Sequence, residues 1–196
     1  MTRPTVGRRV GNGIGLVAVL AIAWFVTQTT PTDEAWQGPI VVSGEMGEIL
    51  TGRNIEAVVS DVRVAEAVTA SNGWAGPTSG VWVVVDASVA AVVDDVGASL
   101  GTAELVINGV TYSASDRPDN GTIARASLST GIPLTGPLMF EVPRELVESE
   151  AASSAAIQLA IKGDPRTDSM LVVGVDLTAL PLLPSIDTDD PIWGAV

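Results

Sequence analysis

The chain has 196 residues, no cysteine and no histidine, and sets 10 bases against 23 acids. Those absences exclude disulfides, thiol and imidazole catalysis, a lipid-modified cysteine and most zinc sites. A net charge of −13 excludes a nucleic-acid surface, which needs a basic footprint.

The charges are not spread evenly. Arg3, Arg8 and Arg9 precede an uncharged run from Val10 to Thr32, and every acid follows it. After the run only seven bases face the 23 acids, so the body carries 7 − 23 = −16. This pattern predicts a cytoplasmic basic stub over 1–9, a transmembrane signal anchor over 10–27 and an extracytoplasmic body. Eighteen helical residues span about 27 Å, close to a hydrocarbon core of about 30 Å. Trp24 sits near the outer end, where an aromatic anchor is expected. The rival is a cleaved signal peptide ending at Ala21-Ile22-Ala23. The apolar run continues through Trp24-Phe25-Val26 instead of stopping there, which favours a retained anchor. Gly7, Gly11 and Gly15 share one helix face and offer a weak homodimer contact. Against that, Gly7 lies in the stub and the face continues as Val19.

Residues 28–39 form a polar linker with Pro31, Gly38 and Pro39. Short β-branched runs follow between turn residues, the pattern of an all-β domain over 40–180. Strands are expected at 40–43, 48–51 and 55–68. In the last, apolar residues change face near Ser60, which predicts a bulge. Residues 72–80 read as a loop. Residues 81–89 are apolar on nearly every position and read as a central strand covered on both faces. Asn108-Gly109, between two β-branched runs, predicts a type I′ hairpin. A turn at 116–121, strands at 123–128 and 138–142, and one helical turn after Pro143 come next. Strands at 156–161 and 171–177 precede an acidic, proline-containing tail over 181–196. The expected fold is an immunoglobulin-like two-sheet sandwich of about seven to nine strands, with a small barrel as the alternative.

The order of Gly80-Val-Trp-Val-Val-Val-Asp-Ala-Ser-Val89, the hairpin from Glu104 to Tyr112, Gly131-Ile-Pro, Gly136 and Leu138-Met-Phe-Glu-Val-Pro143 resembles bacterial membrane- or lipid-anchored immunoglobulin-like domains of unknown function. The likeness covers roughly residues 55–177. It implies the fold and an extracytoplasmic setting, and it carries no catalytic residues to transfer. Two features depart from that pattern. The lipidated cysteine is missing, and Ala87 and Ser88 stand where an asparagine is common.

Candidate sites are few. Asp94 and Asp95 with Asp116 and Asp119 offer oxygen ligands of the kind Ca²⁺ takes, but no regular calcium loop is present, and Pro191 interrupts the nearest match at 187–190. Turn-forming and solvating roles are the plainer account, so no metal and no cofactor is expected. Glu104 with Glu141 is a conceivable glycosidase pair, and Lys162 the only lysine for a Ser-Lys dyad. Both read as surface groups, and no catalytic residue is assigned. Trp36, Trp74 and Trp193 lie in linker, loop and tail. They either dock onto the sandwich or contact a partner. The sequence thus predicts a non-enzymatic single-pass protein of the cell membrane, held in the bilayer by its helix. Its sandwich would bind an envelope protein or glycan. The alternatives are an accessory or assembly subunit acting through helix and sandwich together, and, more weakly, a hydrolase.

Overall fold

The computed structural model describes residues 6–29, 38–93, 97–166 and 168–194, with only the helical backbone at 6–13 and 29. The chain divides into two units, Met1–Gly38 and Pro39–Val196.

The first unit is built on α1 (Val6–Thr29), 24 residues long, with no acid in its first turn. Nine large apolar side chains between Ile14 and Val26 are each more than half exposed. At 100° per residue they occupy every side of the helix. Among the described residues, no helix is long and apolar enough to cross a membrane. The expected spanning segment is therefore a helix, begun earlier than predicted, whose apolar part is shorter than the helix itself. Gly11, Asn12, Gly13 and Gly15 dilute it at the N-terminal end. The stretch from Ile14 to Val26 alone rises only about 20 Å, against a hydrocarbon core of about 30 Å.

The second unit contains β1 (Ile40–Gly44), β2 (Leu50–Thr51), β3 (Ile55–Ala65), β4 (Val68–Thr69), β5 (Ala75–Gly76), β6 (Val81–Ala91), β7 (Thr102–Ile107), β8 (Val110–Ser113), β9 (Leu134–Val142), β10 (Ala155–Ala160), β11 (Ser169–Val175), β12 (Leu182–Leu183), β13 (Ile186–Asp187) and β14 (Ile192–Trp193). One sheet runs β1-β11-β10-β7-β8 and the other β12-β3-β6-β9-β14, with β2 on the β3 edge. The two form a β-sandwich. Their inner faces share one aliphatic core in which Val83, Val85, Ile107, Phe140 and Leu159 have no exposed surface. Burial of this kind, at about 25 cal/mol per Å² of apolar area, holds the fold without a cross-link.

A third layer explains why β6 is apolar on both faces. The small sheet β13-β4-β5 lies outside the second sheet. Its Val68 and Ile186 cluster with Trp82, Val84 and Met139 on the outward faces of β6 and β9. Trp82 Nε1 donates to the Gly76 carbonyl at 2.8 Å, so the buried indole is satisfied.

Local chemistry accounts for the other landmarks. The β3–β6 register slips between Val59 and Asp61, placing the bulge at Ser60. Asn108 and Gly109 have φ of 51° and 75°, the positive pair a type I′ hairpin needs. Pro143 precedes a single helical turn, Arg144–Val147. Other expectations differ: the strand expected over 55–68 is broken after Ala65, β5 lies inside the loop expected over 72–80, and short edge strands raise the number above the seven to nine expected. Residues 123–128 are not a strand. Ile123 is fully buried and donates its N–H to the Pro137 carbonyl at 3.1 Å, and Arg125 turns the chain at φ 60°. The tail over 181–196 is paired with the sandwich. Its three short strands pair with β3, β4 and β9 in turn.

Candidate functional site

The sequence candidates separate in the fold. Trp36, Asp94 and Asp95 lie outside the described residues, as do the surroundings of Gly7 and Gly11. Gly15 has open space where a Cβ would stand. Asp116 lies 3.6 Å from the Arg125 guanidinium, and Asp119 opens a short 3-10 turn. Among the described residues, no group of three or more acids gathers where a metal ion would sit. Glu104 is on β7 and Glu141 on β9, in different sheets. Glu141 is bound to Arg117 at 2.6 Å and to the Thr78 hydroxyl at 2.7 Å. Lys162 pairs with Asp168 at 3.3 Å.

Trp74 and Trp193 divide. Trp74 is half-buried, edge-on to Trp82 at 5.7 Å, and the Arg117 guanidinium lies over both rings at 5.6 and 5.3 Å. Arg117 therefore caps the small core by cation–π contact while Glu141 neutralises it. Trp193 stays 51% exposed at the outer edge of the second sheet.

Beyond the reach of the small layer, the outer face of the second sheet is open. One cross-strand row there reads Val58, Ser88, Thr135, Ile192. Thr135 Oγ1 donates to Ser88 Oγ at 2.9 Å. Ile49, Val58, Ala90, Val92 and Pro133 help to line a groove of about 390 Å³ over this face. Ile49 and Ile192 are respectively 61% and 51% exposed at its side and edge. A shallow apolar groove with two hydroxyls and the Glu56 carboxylate suits contact with a partner surface.

Between groove and small layer sits an ionic cluster. Asp86 on β6 is paired with Arg63 on β3, whose Nε also lies 3.0 Å from Asp61. Partial burial pushes the Asp86 carboxyl above its usual range. Arg63 opposes that, while Asp61 and Asp189 add to it. Asp86 was readable in the sequence as the one carboxylate inside the apolar run of residues 81–89. Its partner was not, because Arg63 is brought to it by the pairing of β3 with β6.

No family model and no curated protein matches the chain. Among solved structures it is similar to an uncharacterized β-sandwich protein from Clostridium difficile 630. The identity is 15%, over 74% of this chain and 99% of that one, with a TM-score of 0.47. A likeness at that score carries no argument. The sandwich described above stands on its own strand pairing.

Proposed function

We propose that this is a non-enzymatic, single-pass membrane protein with a cytoplasmic N-terminus and an immunoglobulin-like sandwich outside that binds a protein or glycan of the cell envelope. The observation that carries the reading is the surface of α1. A helix that exposes large apolar side chains on every side has no place in water. Its 24 residues rise roughly 36 Å, longer than a hydrocarbon core of about 30 Å, although its most apolar part alone is shorter. Arg3 before α1, Arg8 and Arg9 within its first four residues, and the 23 acids after it favour that orientation.

Strand order supports the immunoglobulin-like reading. With β3 as A, β6 as B, β7 as C, β8 as C′ and β9, β10 and β11 as E, F and G, the sheets read A-B-E and G-F-C-C′. The groove and the exposed Trp193 supply the contact surface. A second reading, an accessory or assembly subunit of a membrane complex, draws on the small-residue face of α1 at Gly7, Gly11 and Gly15.

The test is extraction of membranes with alkaline carbonate, followed by protease added to intact spheroplasts. The protein should resist extraction, and protease should digest the sandwich while sparing the stub. Release by carbonate, or a protected sandwich, overturns the reading. Exchanging residues 16–26 for an unrelated apolar helix separates the two versions, because only the subunit reading requires function to be lost.

A further inference from the structure

The two sheets end differently at their edges. In the second sheet both edges are closed by two-residue strands, β2 and β12 along β3 and β14 along β9. Short strands of that kind blunt an edge against other chains. The first sheet ends on β1 at one side and on β8 at the other. β1 pairs with β11 over five residues without a break, and among the described residues no strand pairs with its other side.

The phase of the ladder fixes which backbone groups are left over. Ile40 donates its N–H to the Asp168 carbonyl at 2.7 Å. In a parallel ladder every second residue bonds the same neighbour, so Ile40, Val42 and Gly44 face β11. The N–H and C=O groups of Val41 and Ser43 therefore point outward. Ile40 and Val41 are 54% and 52% exposed. No proline, bulge or charge interrupts the strand. In a strongly acidic body, β1, β11 and β10 carry no charged residue at all. The β8 edge is shorter and less neutral, because Glu104 stands directly beside Ser113.

We propose that β1 is a self-pairing edge, to which a second copy of this chain adds its own β1, antiparallel, about a two-fold axis at Val42. That register uses every outward group of the strand. Val41 lies opposite the partner's Ser43 and Ser43 opposite the partner's Val41, so each pair exchanges two backbone bonds. Val42 meets the partner's Val42 as a close pair without hydrogen bonds, and Ile40 faces the partner's Gly44. Glu45, the first acid past the strand, falls opposite the partner's Pro39, so no charge meets a charge. Two features select a second copy as the occupant. The free groups are symmetric about Val42, and two acidic bodies can approach only where charge is missing. The contact is small, under about 1,200 Å² in all, so the pair forms reversibly and with rising concentration. The inference rests on strand geometry and is independent of the protein's location in the cell.

The chain has no cysteine, so one introduced thiol reports one position. Full-length Val42→Cys in mild detergent, gently oxidised, should give a disulfide dimer, because the Cα atoms of such a pair lie within the span a disulfide bridges. Thr111→Cys, on the β8 edge, should crosslink roughly fivefold less or lower. Adding Ser43→Pro to Val42→Cys removes an outward N–H and no bond to β11, and should cut the dimer yield about tenfold. Ser43→Glu, an exposed change, should do the same even if the proline variant fails to fold. Sedimentation of the unmodified chain should show a dimer that grows with concentration. Absence of the Val42→Cys dimer, equal crosslinking at Thr111→Cys, or a yield that neither Ser43 variant lowers would overturn the proposal. Association through α1 alone would produce the last two results.

Discussion

Phe140→Ala removes the largest side chain that β9 sends into the main core. Phe140 has no exposed surface and stands opposite Val83, itself fully buried, in the β6–β9 ladder. Neighbours on both sheets are locked in ladders and cannot collapse into the space. The cost should therefore approach the upper range for Phe to Ala, about 3–5 kcal/mol. For a domain of this size each kcal/mol lowers the melting temperature by about 2–4 °C. The expected drop is thus on the order of 10 °C, a large share of a marginal stability. Trp193→Ala is the comparison, since that side chain is already 51% exposed on a two-residue edge strand. Its loss should cost less than about 1 kcal/mol. Thermal melts of the full chain followed by near-ultraviolet circular dichroism would measure both. Equal shifts for the two variants, or a drop below about 3 °C for Phe140→Ala, would refute the assignment of stability to the inter-sheet core. If Phe140→Ala fails to fold, Phe140→Leu should still melt lower than Trp193→Ala.

Three further outcomes are expected. Gly80→Ala should destabilise by about 1–3 kcal/mol, because a methyl there meets the Val142 carbonyl oxygen, whereas Gly174→Ala, with open space around it, should be near neutral by the same melts. Asp176 has its carboxyl held below the usual range chiefly by the Thr178 hydroxyl, so it contributes stability above about pH 4 that is lost as pH falls through the folded value; Asp176→Asn should flatten the acid limb of a denaturation series, and an unchanged limb would count against the contact. Intact-mass measurement of membrane-extracted protein should find α1 still attached, and a chain starting at Trp24 would show that the helix is cleaved.

What was readable in advance was whatever a local rule dictates. The phase change at Ser60, the Asn108-Gly109 turn and the doubly apolar residues 81–89 each follow from side-chain alternation or positive φ, and the structure holds all three. The small outer layer was not readable. Its strands β4, β5 and β13 are two residues long, too short to show a period, and β13 reaches β4 across more than 100 positions of sequence. Residues 123–128 misled for the opposite reason. Their apolar content belongs to Ile123 filling the core and to a turn packed on it, not to alternation along a strand. At the candidate site, the sequence marked Asp86 only as a polar position on an apolar strand and gave no sign of a site there. The groove was not readable either, because its lining comes from Ile49 ahead of β2, from β3, from β6 and its end, and from the segment after residue 129.

The pairing of β1 bears on how the sandwich responds to being pulled. β1 enters from the linker and runs parallel to β11 over five residue pairs, from Ile40–Ser169 to Gly44–Val173. Tension arriving through the linker and resisted at the far end of the sandwich lies along β1. It loads those backbone bonds in shear, so they give way together, where a force applied across the strand at one end would peel them open one bond at a time. Rupture under load is governed by the unfolding barrier and not by equilibrium stability. Pulling from residue 39 against a point near Pro143 should therefore require a higher force than pulling across the β7–β8 hairpin, and equal forces would show that β1 bears no load.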